Sequence, residues 1–597
     1  MSISVFLLWL VSVPLLVQGN AIIRSVAGRH AQPKPQVKDY FVNCGSNEDV
    51  DSWELKYLAD DAFISPQGTK TATINQTDVL PILSTLRYIP DKTTKKKCYK
   101  FQALKGGKYL VKSIFYYGNF DGGTNPPVFD LIIEGTKWST VNTTQDYLNG
   151  LASFYEIIVM ARDEKLSVCL AWNDHTVSSP FISALQVHSL NDLMYDGTNF
   201  DKYALMTVAR HSFAAHGETI GFPDDKFGRY WYPFIDNNPV VSSHSNVTPS
   251  VFFNNPPAKI FQTAITTDRG KSLQVMWPPY SVPASRYYIA LYLQDSRAPS
   301  PYSWGVFDIQ INGETFYRQL NVTTSGAMVF STFWPLNGTT TITLTPRSDI
   351  PVGPLINAAE AFQLLALEEK TAARDVIVMD DIARSIQHLP LDWEGDPCVP
   401  RGNAWTGVTC RHRLTTHIVS LNLTGLGVLT GTLPKSLSNL SALHHLWLGG
   451  NSLTGSIPDL SPLMALETLH LENNQFEGPI PESLGHLPKL REVFLQNNKF
   501  TGDIPASLKN RRDILLNLEN LWTMNETIHK DQKMEMMGAY DEEDARRIYK
   551  ECWILQICRI IGQHGDLILP AGKRILLFHS VSAYATFPEL LYGCLRL

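Results

Sequence analysis

The chain of 597 residues is too long for a single hydrophobic core, and its 44% hydrophobic and 18% charged residues are typical of globular domains. The formal net charge of −6 leaves no basic excess to attract nucleic acid or an anionic membrane surface. Composition therefore predicts several globular domains and excludes nucleic acid as the expected partner.

The N-terminus, positions 1–19, is predicted to be a secretory signal peptide. Val5 to Val17 form an apolar run of the right length, too short to span a bilayer comfortably. Eight N-x-S/T sequons agree with secretion. Glycans are expected at seven asparagines, Asn75, Asn142, Asn246, Asn321, Asn337, Asn422 and Asn439, and the eighth sequon is at Asn525. We expect an extracellular or cell-surface location, although no membrane anchor is visible in the sequence.

One sequence block occurs twice without insertion. Tyr109–Gly135 recurs as Tyr287–Gly313, and the offset from Tyr109 to Tyr287 equals that from Val128 to Val306. In each copy an alternating apolar strand leads through a polar loop into a second strand, V-F-D-x-x-I-x-G. This strand, loop, strand pattern predicts a mainly β fold with tandem β-sandwiches.

Motifs around both blocks carry a family resemblance. Asn43-Cys44-Gly45 precedes the first block, and the stretches PFISALQV and PLINAAEA close the two copies. With these motifs, residues 37–370 closely resemble the malectin-like domain of plant cell-surface receptors, as copies at 37–190 and 191–370. The resemblance implies recognition of a carbohydrate outside the cell.

The resemblance points to one loop of the first copy. Animal malectin binds a glucose disaccharide, and its matching loop lays a Tyr-Phe pair against the sugar. Aligned on V-F-D, those positions are Asn119 and Phe120 here, and Arg297 and Ala298 in the second copy. An acidic residue of malectin corresponds to Ser178.

Aromatic rings cover the C–H faces of a sugar while acids bind its hydroxyl groups. The alternative for the tyrosines of this loop is simple packing within the sandwich. The candidate carbohydrate-binding residues are Tyr116, Tyr117, Asn119, Phe120, Asp121 and Asp174.

Residues 371–417 are predicted to form a cap. Val378, Ile382, Ile386 and Leu389 mark one face of a helix that Pro390 would end. Gly395-Asp396-Pro397-Cys398 follows, and the segment resembles both the N-terminal cap of plant leucine-rich repeat arrays and the GDPC junction of symbiosis-type receptor kinases. Cys398 and Cys410 are predicted to form a disulfide, whereas the pairing of Cys44, Cys98, Cys169 and the tail cysteines Cys552, Cys558 and Cys594 is left open.

Residues 418–510 contain about four leucine-rich repeats. The pattern L-x-x-L-x-L-x-x-N-x-L-x-G-x-I-P starts at Leu443 and recurs with small changes at Leu466 and Leu490, after a looser first turn. The leucines should fill the interior, while each asparagine bonds backbone groups left unpaired by the bend. Residues 511–597 lose the pattern and are predicted to form an atypical tail, for which the sequence leaves disorder open.

The side chains between the leucines should form the concave face of the array, where solenoid ligands commonly bind. A glycan on Asn422 would stand at its edge. Histidines on this face raise the hypothesis that binding responds to an acidic cell-wall space. The candidate protein-interaction residues are His444, Trp447, His470, Glu472, Phe494 and Gln496.

The sequence contains no motif for catalysis, a metal or a cofactor. The adjacent acids Asp60-Asp61, Asp224-Asp225 and Asp380-Asp381 are poorly placed as general acid and base and are expected to be solvated at the surface. No kinase glycine loop occurs. We predict a non-catalytic receptor-like protein that recognises a carbohydrate, or a peptide or glycoprotein ligand, and acts with a partner receptor kinase. The alternative is a structural wall-associated polysaccharide-binding protein, or an inhibitor of a wall enzyme, without signalling.

Overall fold

The computed structural model describes residues 38–518, except 124, 216, 218, 243–251, 296, 298–304 and 351, together with two short strands of the tail. The predicted signal peptide, the sequons at Asn246 and Asn525 and most of the tail lie outside the described residues. No helix among the described residues is long and apolar enough to cross a membrane.

Strands dominate the sandwiches. The first contains β1 (Tyr40–Asn43), β2 (Val50–Ser52), β3 (Leu55–Ala59), β4 (Lys70–Thr73), β5 (Thr85–Tyr88), β6 (Lys96–Gln102), β7 (Lys108–Phe115), β8 (Phe129–Ile133), β9 (Thr136–Val141), α1 (Thr144–Leu148), β10 (Ser153–Met160), β11 (Lys165–Ala171), β12 (Phe181–Ile182) and β13 (Ala184–Leu190). The second contains β14 (Tyr203–Phe213), β15 (Tyr232–Phe234), β16 (Val240–Ser242), β17 (Thr263–Thr266), β18 (Leu273–Met276), β19 (Val282–Leu293), β20 (Gly305–Ile311), β21 (Glu314–Val322), β22 (Ala327–Gly338), β23 (Thr341–Pro346), β24 (Leu355–Ile356) and β25 (Ala358–Ala366).

The cap and repeats contain α2 (Ala373–Ser385), β26 (Ile386–Gln387), β27 (Val408–His412), β28 (Thr416–Asn422), β29 (Thr430–Thr432), β30 (His445–Trp447), β31 (Ser452–Gly455), β32 (Thr468–His470), β33 (Gln475–Gly478), β34 (Glu492–Phe494), β35 (Lys499–Phe500), α3 (Ala506–Lys509) and β36 (Leu515–Asn517). Short 3-10 helices lie at Asp60–Ala62, Pro81–Leu83, Ala258–Phe261, Arg401–Asn403, Lys435–Asn439 and Glu482–His486. In the tail, β37 (Asp566–Ile568) pairs antiparallel with β38 (Arg574–Leu576).

One sheet runs through both sandwiches, in the order β2-β3-β1-β13-β7-β10-β14-β25-β19-β22. The two copies meet where β10 pairs antiparallel with β14, with Ile157 opposite Met206. The sheet β6-β11-β8-β9 covers the inner face of the first copy, and β18-β23-β20-β21 covers that of the second. This arrangement confirms the predicted tandem sandwiches, and the shared sheet fixes their relative orientation.

Each sandwich has its own apolar core between its sheets. Val111 and Leu131 belong to the first core, and Ile289 and Ile309 belong to the second. A third apolar cluster, which includes Leu110 and Tyr288, lies on the other face of the shared sheet. The alternation of inward and outward residues along the strands places these groups on opposite faces.

The repeats form the predicted solenoid. Strands β28, β30, β32, β34 and β36 make a parallel sheet, and Leu446 and Leu469 are fully buried behind it. The Asn474 amide donates to the carbonyls of Leu448 and Leu471, at 2.9 and 3.2 Å, which confirms the predicted asparagine ladder. Strand β36 pairs in parallel with β34, so the repeat sheet continues by one strand beyond residue 510.

The cap packs against the first sandwich. The Glu394 carboxylate accepts hydrogen bonds from the Lys97 amine and, at 2.8 Å, from the Cys98 N–H. Gly395 follows at φ +68°, where a Cβ would lie 3.1 Å from Cys98 Sγ and 3.4 Å from Cys169 Sγ. The Gly-Asp-Pro-Cys segment therefore rests on a disulfide of the first sandwich.

The structure resolves the open cysteine pairing within the described residues. Cys98 bonds to Cys169 across β6 and β11, Cys398 bonds to Cys410, and Cys44 is a buried free thiol. The predicted helix over Val378–Leu389 is too long: α2 ends at Ser385 because Ile386 joins a sheet opposite Gly431.

Candidate ligand-binding surfaces

The tyrosines of the predicted carbohydrate loop pack within the first sandwich or against its core. Tyr117 is 1% exposed and lies in the first core, with its ring centroid 4.9 Å from that of Tyr147. Tyr116 is partly buried, and its hydroxyl donates to the Gln76 side chain. The packing alternative therefore describes Tyr117, and this ring has no free face for a sugar.

The Asp121 carboxylate accepts hydrogen bonds from its own loop and from a neighbouring loop. The donors are the Tyr117 hydroxyl, the Ser178 hydroxyl at 2.6 Å and the Gly123 N–H at 3.0 Å. Partial burial raises the pKa of this carboxyl, but the hydrogen bonds outweigh burial and hold the pKa below its ordinary value. Ser178, which replaces the acid of malectin, thus joins two loops of the chain.

Phe120 and Asn119 lie in the same loop as Tyr117 and Asp121. Phe120 is half-buried, and its ring centroid lies 5.1 Å from that of Tyr88 and 5.3 Å from that of Phe181. Asn119 is exposed at φ +57°. Asp174 is exposed in a neighbouring turn.

An open concavity of about 590 Å³ lies elsewhere, in the second sandwich beside Arg286 and Glu314.

The repeat sheet carries a continuous column of rings. Trp447, His470 and Phe494 occupy matching positions of β30, β32 and β34, because these parallel strands pair in register. The ring centroids of Trp447 and His470 are 5.5 Å apart, and those of His470 and Phe494 are 4.4 Å apart, with interplanar angles of 21° and 15°. The three side chains are half-buried. We call these residues the ring column.

Polar side chains hold the ring column in place. The Thr468 hydroxyl accepts a hydrogen bond from Trp447 Nε1 at 2.6 Å and lies 2.9 Å from His445 Nδ1. His470 Nε2 lies 3.1 Å from a Glu492 carboxylate oxygen. The rings are therefore oriented before any ligand arrives, which lowers the entropic cost of binding.

The surroundings of the ring column are acidic. His444 Nδ1 lies 2.8 Å from Glu467 Oε1, and this hydrogen bond holds the pKa of the Glu467 carboxyl below its ordinary value. Glu472 lies against Gly449, close enough to occupy the space of a Cβ there. Gln496 Oε1 is buried and accepts no hydrogen bond from the residues described. The structure thus places all six predicted interaction residues on or directly beside one sheet.

Sequence reasoning missed the buried charges between the sandwiches. Arg210 of β14 binds Glu360 of β25 at 2.7 Å and Glu156 of β10 at 2.8 Å, so this guanidinium joins the two copies. Burial lowers the pKa of the neighbouring Lys112 to about 8, and its amine donates to the Gly228 carbonyl at 2.6 Å. Such residues are rarely buried unless paired, so only the fold could reveal them.

One member of each of two acidic pairs noted in the sequence has a structural role. Asp60 is buried and receives two hydrogen bonds of 2.6 Å from Arg87. Asp225 is buried and binds Arg229 at 2.9 Å. The expectation that these residues are solvated at the surface is wrong for both. Neither carboxylate is available as a general acid or base.

Comparison with known proteins agrees with this architecture. The family model of the malectin-like domain matches residues 42–364, and that of the leucine-rich repeat matches 465–487 and 489–510. A probable LRR receptor-like serine/threonine-protein kinase of Arabidopsis thaliana is 30% identical over 477 residues, which cover 74% of this chain and 49% of that protein. A second Arabidopsis leucine-rich repeat receptor-like serine/threonine-protein kinase is 31% identical over 422 residues, covering 68% and 46%.

Two plant receptor structures are among the solved structures to which this chain is similar. The ANX1 ectodomain from Arabidopsis thaliana is 16% identical with a TM-score of 0.48, covering 55% of this chain and 97% of that one. The plant receptor-like kinase FER is 18% identical with a TM-score of 0.47, covering 55% and 96%. This chain spans about half the length of the receptor kinases it matches. The chain belongs to the malectin-like domain family and combines that domain with leucine-rich repeats.

Proposed function

We propose that this protein is the recognition part of a cell-surface receptor system, and that it binds a protein partner through the ring column. The single observation that carries this proposal is the in-register stack of Trp447, His470 and Phe494, whose side chains are half-buried on the repeat sheet. Aromatic residues that are pre-oriented and half-exposed are typical anchors of protein interfaces. The repeat sheet offers such anchors on a rigid solenoid.

Charge suggests the chemistry of the partner. Glu467, Glu472 and Glu492 surround the column, whereas the guanidinium of the nearby Arg491 is bound to Asp513 at 3.0 Å. Such a face favours a partner that presents basic and aromatic side chains, such as the ectodomain of a receptor kinase or a basic peptide. The partner's kinase would supply the signal.

The test is a binding screen with the secreted, glycosylated chain against purified receptor ectodomains and basic peptides. We expect a partner whose affinity falls at least about tenfold with Phe494→Ala, because truncating an interface anchor costs roughly 2 kcal/mol or more. Phe120→Ala is the matched control, since it removes the same side chain from the other candidate surface. A partner that binds Phe494→Ala as tightly as the wild type would contradict the proposal.

Carbohydrate binding by the first sandwich is the second candidate, and the exposure of Asn119 and the incomplete burial of Phe120 favour it. A glycan array with the same proteins tests it. Binding of a sugar that Phe120→Ala abolishes and Phe494→Ala leaves intact would assign recognition to the sandwich. The structural wall-associated alternative predicts binding to polysaccharide without any receptor partner.

A further inference from the structure

One sequon asparagine lies next to the ring column. Among the described sequon asparagines, Asn422 is half-buried in the repeat sheet, while Asn75, Asn142, Asn321, Asn337 and Asn439 are exposed. Asn422 of β28 is paired in register with Trp447 of β30, and the Leu423 N–H donates to the Trp447 carbonyl at 2.8 Å. Asn422 therefore occupies the column position next to Trp447, on the side away from His470.

Because the indole of Trp447 stacks on His470 of β32, at 5.5 Å and 21°, its other face lies on the side of β28, which carries Asn422. His445 also lies against this indole, with ring centroids 5.4 Å apart and an interplanar angle of 45°. Adjacent strands lie about 4.8 Å apart, so a group attached to Asn422 stands roughly one ring spacing from the indole. The apolar C–H face of a sugar fits such a position, because it can pack on an aromatic face.

The Asn422 side chain is oriented for modification. Its Oδ1 accepts the Thr424 N–H at 3.1 Å, which leaves Nδ2, the atom that carries an N-glycan, facing away from this bond. On the other side, Asn422 N–H donates to the carbonyl of Gly407 at 2.7 Å. Gly407 has no side chain, so the residue directly opposite Asn422 on this side leaves the space beside it open.

We propose that an N-glycan on Asn422 packs its first sugar on the free face of Trp447 and extends the ring column by one layer. The glycan shields the Trp447 end and directs a partner to the His470 and Phe494 end. The effect on partner binding rests on the proposed function, whereas the packing of the glycan on Trp447 does not.

The experiment measures hydroxyl-radical oxidation of Trp447 in the full secreted chain, after glycopeptide mass spectrometry has established occupancy of Asn422. We expect oxidation of Trp447 to rise several-fold in Asn422→Gln and in Thr424→Ala, which removes the sequon but keeps the asparagine. Asn439→Gln is the matched control, because it deletes a glycan from an exposed position outside the sheet. Trp53, which is 36% exposed in the first sandwich, is the internal standard.

Trimming with endoglycosidase H to one N-acetylglucosamine should preserve the protection, since the first sugar contacts the ring. An unoccupied Asn422, or equal Trp447 oxidation in wild type and both sequon variants, would overturn the proposal. No partner is needed for this measurement, so its failure is distinct from a failure of the binding screen.

Discussion

The first sandwich and the repeat array use similar side chains in opposite ways. In the sandwich, Tyr117 and Asp121 bond to each other, and the ring of Tyr117 is enclosed by other rings. In the array, Trp447 and Phe494 stack with His470 on the repeat sheet, and all three side chains are only half-buried. A sandwich buries the inner faces of its two sheets against each other, whereas a solenoid leaves one face of its sheet open.

This contrast shows how far a motif can be trusted. An aromatic and acidic loop resembles a sugar site in sequence, but its groups can satisfy one another once the chain folds. Side chains that point outward from a solenoid sheet cannot pack into the core. Their exposure therefore follows directly from their position in the repeat. Four substitutions put the contrast to the test.

The largest effect is expected from Tyr117→Ala. This change empties a buried position in the first core, so the free energy of unfolding should fall by about 3–5 kcal/mol. Urea unfolding followed by circular dichroism measures it. Tyr116→Phe is the control, because it removes one hydroxyl bonded to an exposed glutamine and should cost about 1 kcal/mol or less. A loss below about 1 kcal/mol for Tyr117→Ala would mean that this ring is not part of the core.

Acidification should weaken the sandwiches through His188. Burial, with a smaller contribution from the Lys112 charge, lowers the pKa of His188 from 6.5 to about 3. Asp39 Oδ2 lies 3.8 Å from His188 Nδ1, which is too far for a hydrogen bond that would raise this pKa again. Below pH 6.5 His188 is protonated in the unfolded chain but stays neutral in the folded chain. Stability is therefore lost as pH falls from 6.5 toward 3.

The expected loss from His188 between pH 7 and pH 5 is about 2 kcal/mol. Urea unfolding at both pH values measures it, and His188→Gln should remove this part of the pH dependence. An unchanged pH dependence in His188→Gln would show that the side chain accepts its proton in the folded protein.

Gly395→Ala tests the contact that joins the two regions. A residue with a Cβ pays about 1–2 kcal/mol at a left-handed position, and here the Cβ also meets the Cys98–Cys169 disulfide. Gly427→Ala is the matched control, with φ +70° and nothing within 4 Å of its Cβ. The free energy of unfolding, measured by urea unfolding, should fall further in Gly395→Ala than in Gly427→Ala, and the difference is the cost of the contact with the disulfide. Equal losses would show that the cap does not contact the Cys98–Cys169 disulfide closely.

The smallest effect on stability is expected from Phe494→Ala. The ring loses its stacking on His470 but little burial, so the cost should be about 1 kcal/mol. Urea unfolding measures it alongside Tyr117→Ala. A loss as large as that of Tyr117→Ala would make the ring column a structural element, and the contrast between the two regions would disappear.

Periodicity determined what the sequence could reveal. The constant offset between the two copies of the repeated block predicted two sandwiches, and the spacing from Leu443 to Leu466 predicted both the buried leucines and the asparagine ladder. Repeated patterns encode which side of each element faces inward, because strand and solenoid geometry are regular. The outward position of Trp447 followed from the same rule.

Tertiary structure decided which side chains meet. Only the fold shows that Ser178 bonds Asp121, that Arg210 bridges Glu156 and Glu360, and that Gly395 rests on a disulfide from a distant part of the chain. These contacts depend on distances between distant segments, which no local spacing specifies. A buried charge or a satisfied carboxylate has the same letter in the sequence as an exposed one, and its partner becomes visible only when the elements pack.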